Sequence, residues 1–158
     1  MEALVQLIID KLLAREKKTF YLSAKQPGAI LGVKEFVENK HIRISDMDVY
    51  CLEKFAQKKE EPFIQALYQS FDYCCRLSFE LSFEELNLIP EKILLKCPVT
   101  LYTPRGKRIV AFNQNFLTYS QVASLTCEDI LVLTEKQKLT ALAKERVIAK
   151  KISVFERS

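Results

Sequence analysis

CPVTLYTPRGKRIVAF, residues 97–112, decides how the chain is expected to fold. Two short runs inside it, VTLYT and RIVAF, are rich in β-branched and aromatic side chains. Between them TPRG places Pro and Gly where a tight turn needs them. The stretch predicts an antiparallel hairpin, and ILLKC just before it suggests a third strand over 93–96. It carries the only strong β signal read in the chain. The expected fold class is therefore α+β, predominantly helical: a helical N-terminal part packed with a small antiparallel β-hairpin and short capped C-terminal helices.

Upstream of the hairpin, helical periodicity dominates. Residues 2–17 read as an amphipathic helix, with Leu4, Leu7, Ile8 and Leu12 at helical spacing and basic residues toward its end. QPG at 26–28 breaks the chain. A second helix is expected up to about Asn39, with Ile30, Val33 and Val37 on one side. The segment Ser45 to Asp48 looks like a cap opening a third helix that buries Cys51, Leu52 and Phe55. Pro62 suits a first helical position. After it, Phe63, Leu67, Phe71 and Cys74 form one stripe and Ile64, Tyr68 and Cys75 another, so Cys74 and Cys75 are expected to be helical. Ser82 and Glu85 form a capping box for a short turn.

Downstream, Leu117-Thr118, Leu125-Thr126 and Leu133-Thr134 recur every eight residues, and Gln121, Asp129 and Gln137 follow each Thr by three places. At about 100° per residue the three leucines leave any common helix face, so one long helix is excluded. Thr is a poor interior residue and a good cap. Three successive helix starts are expected, the last opening a helix over 135–152 that buries Leu139, Leu142, Ala143 and Val147. The chain divides at the hairpin into a helical interaction region, 1–88, and a hairpin-plus-helix region, 89–158, which can also form one compact domain.

The 158 residues are 49% apolar, enough to bury a core, and with only three Gly few long flexible loops are expected. Net charge is +4, and residues 134–158 hold all of it, with seven Lys/Arg against three Asp/Glu. That basic end offers only Phe155 for stacking on bases, so no nucleic-acid partner is expected. Five cysteines without regular spacing suggest no disulfide framework and a reducing compartment. No apolar run approaches the roughly 18 residues of a membrane span, and the first residues make no convincing signal peptide. Membrane contact is not expected.

The chemistry-bearing residues are sparse. No CxxC pair exists and there is one His, so no metal site and no cofactor are expected. Cys97 as nucleophile with His41 as base is weighed against a buried hairpin cysteine. Glu84, Glu85 and Glu91 read as surface charge, and no catalytic residue is assigned. Arg105, Lys107 and Arg108 are the anion-binding candidates, though TPRGK lacks the spacing of a phosphate loop.

Two resemblances follow from these residues. The tandem L-T-x-x-Q pattern over 116–139 resembles C-terminal segments of Legionella type IV secreted effectors. That resemblance implies export by a non-Sec route into a host cytoplasm, or otherwise residence in the bacterial cytoplasm, and action as a protein–protein interaction module on a host or bacterial protein. Cys97-Pro98-Val99-Thr100, with Thr118-Tyr119 and the final helix, resembles a U-box over 89–152. That resemblance implies an E3 ubiquitin ligase that recruits a ubiquitin-conjugating (E2) enzyme through the Cys97–Thr100 loop without metal. The family's Asp-Pro-Val run and its Trp are absent. Val99, Leu101, Pro104 and Tyr119 are the resulting partner-binding candidates. In the alternative, Val99 and Leu101 alternate inward and cover the final helix.

Overall fold

A computed structural model describes residues 1–26 and 31–158. The expected position of Ile30 and most of the QPG break lie outside the described residues. The described chain runs α1 (Glu2–Glu16), β1 (Thr19–Ser23), α2 (Val33–Glu38), β2 (His41–Met47), α3 (Val49–Ala56), α4 (Pro62–Asp72) and β3 (Arg76–Leu81). A short 3-10 turn (Leu86–Leu88), α5 (Glu91–Leu95), β4 (Val99–Tyr102) and β5 (Arg108–Ala111) follow. The remainder is β6 (Phe116–Leu117), α6 (Tyr119–Val122), β7 (Asp129–Leu133), β8 (Lys138–Leu139), α7 (Ala141–Ala149) and β9 (Ser153–Glu156).

Seven strands form one sheet in the order β1-β2-β3-β4-β5-β7-β9, and β6 with β8 makes a separate two-stranded ribbon. Every neighbouring pair in the large sheet is parallel except β4 with β5. This overturns the expected fold class: the molecule is a mixed α/β fold on a mostly parallel sheet. The 99–111 hairpin exists, and Gly106 at φ 85° turns it while its N–H donates to the Thr103 carbonyl. It is the point in a larger sheet where strand direction reverses.

That reversal dictates the layers. Crossovers between parallel strands are right-handed, because a right-twisted strand and a right-handed helix pack back only that way. Stepping sideways through the sheet with strands pointing one way puts the crossover helices on one face. Reversing the strands while stepping in the same direction moves them to the other. The burial pattern shows both outcomes. Phe36 of α2, Leu52 and Phe55 of α3, Ile64 and Leu67 of α4 and Ile93 of α5 share one core with Ile42, Ile44, Leu77, Phe79 and Leu101 of the sheet. Val122 of α6 and Ala143 and Val147 of α7 share a second core with Leu131 and Leu133. Val132, between those two leucines, belongs to the first core, so the two cores lie on opposite faces of β7.

Local chemistry sets the element ends. The Asp48 carboxylate accepts from Cys51 N at 2.7 Å and opens α3, so the cap expected there is present, while Ser45 and Met47 belong to β2. Pro62 begins α4. That helix stops at Asp72; Cys74 takes φ 56°, so the expected helical placement of Cys74 and Cys75 fails at a left-handed turn. In α2 the buried residue is Phe36, while Val33 and Val37 stay exposed, opposite to expectation. Residues 93–96 are no strand: Ile93 to Leu95 complete α5, which begins directly after Pro90.

The three threonines restart the backbone in different ways. Gln121, Asp129 and Gln137 accept from the N–H of Thr118, Thr126 and Thr134 at 2.8, 2.9 and 3.0 Å. Only Thr118 opens a helix. Thr126 leads into β7 and Thr134 into β8, because ILVL and KL carry the chain as strands. The last helix therefore starts at Ala141, capped by the Thr140 hydroxyl, and Leu142 is left exposed.

Candidate functional site

Because the helices change sides at the hairpin, one half-face of the sheet has no helix over it among the described residues. It is the back of β1–β4, and its residues are those that alternate with the buried ones. Tyr21, Arg43, Ser78 and Thr100 form one register row, and Tyr102, Arg108 and Asp129 continue a second row that reaches Glu80 of β3. Their partners in sequence, Ile42, Ile44, Leu77 and Phe79, point into the first core. The pleat thus converts two alternating segments, HIRIS and RLSFEL, into an apolar front and a polar back.

The back face carries two arginine-centred clusters that meet at neighbouring positions of β4 and β5. Arg43 Nε donates to Glu80 Oε1 at 2.5 Å, and the Arg43 guanidinium lies 4.1 Å from the centre of the Tyr102 ring. Tyr102 is the register partner of Arg108. Arg108 then grips Asp129 with both nitrogens, Nε to Oδ1 at 2.9 Å and Nη2 to Oδ2 at 3.0 Å. The fork matches a carboxylate in its plane, the strongest geometry for such a pair. Hydrogen bonding to Asp129 raises the Arg108 pKa above its ordinary value. Burial works to raise that of Asp129, but the bonds from Arg108 and from the Thr126 N–H outweigh it and hold the carboxyl below its usual range. Glu80–Arg43–Tyr102–Arg108–Asp129 is thus a fixed ladder spanning β2 to β7, with Tyr21 standing 70% exposed beside Arg43.

At the carboxyl ends of the parallel strands this face opens into a cleft of about 380 Å³, lined by Ser45, Asp46, Glu80, Ser82, Thr103 and Pro104 among others. Asp46 sits at an irregularity of β2 with φ 58°, and Ser23 Oγ donates to its Oδ2 at 2.6 Å. The cleft lies where open α/β sheets bind ligands, outside the strand ends beside the point where the helices change sides.

A family model described as "Putative propanediol utilisation" (PDU_like) matches residues 3–153. The chain belongs to this family. The match runs from α1 to the first residue of β9, so the first six strands of the large sheet and the ladder lie inside it. No curated protein matches the chain, and no solved structure does.

The sequence candidates are scattered over this PDU_like fold. Val99 and Leu101 lie inside β4 between β3 and β5, on the front face with Leu77 and Phe79, and Leu101 is buried. They cover the core of α2–α5 rather than the last helix. Pro104 lines the cleft, and Tyr119 is exposed on α6 with the Arg146 guanidinium 5.8 Å from its ring centre. Of the anion-binding candidates, Arg108 is committed to Asp129, and Arg105 pairs with Glu84 at 3.0 Å in full solvent contact. Lys107 borders a smaller cleft with Glu84 and Thr103. Cys97 packs against the first core, and burial pushes its thiol pKa up against the pull of Lys92 and Lys58. A thiol so placed is a poor nucleophile, since the thiolate is the reactive form. Among the described residues no group of three or more His, Cys, Asp or Glu could hold a metal ion, and no helix is long and apolar enough to cross a membrane.

The ladder residues Arg43, Glu80, Tyr102 and Asp129, and Tyr21 beside them, were not singled out from sequence as site residues. The signal that marks the central ones is alternation of period two: Arg43 between Ile42 and Ile44, Glu80 between Phe79 and Leu81.

Proposed function

We propose that this member of the PDU_like family is a binding module that serves propanediol utilisation by docking a partner protein on the bare back of β1–β4. The observation that carries this reading is the uncovered, pre-arranged polar face itself. Its exposed Tyr21 and half-buried Arg43 and Tyr102 are of the types that dominate the energetics of protein interfaces. Arg43 and Tyr102 are held by the ladder rather than free to rotate, so less conformational entropy is lost on binding. Every carboxylate of the ladder is paired to an arginine, which suits recognition better than proton transfer. The test is affinity capture from propanediol-grown cells with the wild-type chain and with Tyr21→Ala plus Arg43→Ala. A captured partner lost from the variant, with the variant's unfolding midpoint in the folded range, supports the docking face. Equal capture by both proteins overturns it.

The cleft favours a second reading, a small polyol ligand. Ser45, Ser82 and Thr103 hydroxyls and the Asp46 and Glu80 carboxylates line a volume inside the range of small-molecule sites. Titration of propane-1,2-diol followed by NMR decides it. Saturable shifts at Ser82 and Thr103 that vanish in Asp46→Ala support a ligand site, and unsaturable or uniformly scattered shifts dismiss it.

A further inference from the structure

Among the described residues nothing buries α1. None of its residues is buried, although seven Leu, Ile and Val side chains between Leu4 and Leu13 are 41–59% exposed. At about 100° per residue those seven spread over roughly two-thirds of the helix circumference. A helix apolar on so wide an arc belongs inside a protein. Its last turn is tied down: Arg15 donates to the carbonyls of Phe36 at 3.0 Å and Tyr73 at 2.6 Å, and its own carbonyl accepts from Lys40 N. From that root the helix projects for about 20 Å. A helix of this length is marginal in water by itself. Its exposed side chains amount to on the order of 600 Å² of apolar surface, the top of what a monomer carries in one patch.

We propose that two copies of this chain dimerise about a two-fold axis by antiparallel packing of α1 on α1. The axis passes near Ile8 and Ile9, the middle of the apolar run. Antiparallel pairing sets Leu4 and Val5 at the tip of one helix against Leu12 and Leu13 of the other. Val33 and Val37 of α2, the helix whose Phe36 carbonyl accepts from Arg15 at the root, stand 47% and 54% exposed. The charges agree: Glu2 at the tip meets Lys17 and Lys18 at the partner's root, and the two helix dipoles oppose. Two helices packed along one stripe bury about half of each surface, on the order of 600 Å² in total, the size of a weak, concentration-dependent interface. A two-fold contact closes on itself and leaves no repeating patch.

The test is sedimentation equilibrium of the full chain over a wide concentration range, with far-UV circular dichroism on the same samples. The wild type is expected as a dimer whose helical signal falls on dilution to the monomer. Ile8→Asp with Ile9→Asp is expected to abolish the dimer while leaving the near-UV spectrum unchanged, since no α1 side chain enters a core. Glu2→Lys is expected to weaken the dimer about two- to fivefold, and adding Lys17→Glu and Lys18→Glu to restore it. A wild type that stays monomeric throughout overturns the proposal, whether or not it binds lipid vesicles or another protein through α1. So does a dimer that survives the Ile8 and Ile9 substitutions.

Discussion

Arg108→Ala tests the ladder where the structure makes the sharpest claim. The Asp129 side chain is 5% exposed, whereas that of Arg108 is 43% exposed. Asp129 accepts two bonds from Arg108 and one from the Thr126 N–H. Removing the arginine leaves a buried carboxylate with one donor. Orphaning one member of a buried pair costs about 3–5 kcal/mol. Water can enter the space vacated by the half-exposed guanidinium, so the lower end, about 3 kcal/mol, applies here. The reverse change costs less: in Asp129→Ala the arginine turns into solvent, and about 2 kcal/mol covers the lost pair and the stranded Thr126 N–H. Acid separates this cause from simple loss of packing. In the wild type the Asp129 pKa is depressed, so its contribution is complete above the ordinary carboxyl range near pH 4 and is lost as pH falls through the lower folded value. In Arg108→Ala the chief influence lowering that pKa is gone. Asp129 then takes up its proton at higher pH, and protonation relieves the buried charge. The stability gap between wild type and variant must therefore narrow from neutral pH toward acid. Urea unfolding at a series of pH values measures it, with a midpoint about 1.5 M lower for the variant at pH 7. A gap under about 1 kcal/mol at pH 7, or one constant or widening toward acid, refutes the reasoning.

Three further outcomes follow from the same structure. Phe79→Ala, at a side chain fully buried edge-on to Phe55 with ring centres 5.0 Å apart, is expected to cost about 3–5 kcal/mol in chemical unfolding; a cost below about 1 kcal/mol would place Phe79 outside the core. Gly106→Ala is expected to cost only about 1–2 kcal/mol, from the left-handed backbone alone, because a Cβ there meets nothing within 4 Å; unchanged thermal stability would show that the turn relaxes. In timed alkylation read by mass spectrometry, exposed Cys74 and Cys127 are expected to react before Cys51, Cys75 and Cys97, whose thiol pKa values burial raises; early modification of Cys97 would contradict its packing.

Local chemistry was legible where it is settled within a few residues. The α1 span, the Asp48 cap, Pro62 at a helix start, the TPRG turn and the three back-bonds to Thr118, Thr126 and Thr134 are all contacts within four places in the chain. What the back-bonds open was not legible from the threonines, since the same turn leads to a helix before YSQV and a strand before ILVL. ILL of α5 misleads in the other direction: its β propensity is overridden because Ile93 completes the first core as one turn of helix. The central strands were missed although their alternation is clean, with Ile42 and Ile44 in β2 and Leu77, Phe79 and Leu81 in β3 all buried. Short strands between strong helical periodicities read as helix margins until pairing is known. The ladder was further out of reach. Arg43 and Glu80 are 37 residues apart, and Arg108 and Asp129 are 21 apart. Only the register of five strands brings them into one line.

The bare face follows from how this sheet reverses. A doubly wound sheet covers both faces by returning to its middle and stepping the other way, with strand direction kept. Here the stepping direction is kept and strand direction changes, through the turn at Gly106. Both schemes move the crossover helices to the second face, but the second moves them only beyond the reversal. The first four strands keep an uncovered back, and an uncovered back must be polar to stay in water. Its polarity in turn demands that Arg43, Ser78, Glu80, Thr100 and Tyr102 occupy the positions between core residues. An apolar residue at any of them would add unpartnered surface, and a slip of one residue in register would bury the arginine. The hairpin, the alternation and the ladder are therefore one constraint: the turn that reverses the strands also decides which side chains remain on the uncovered face.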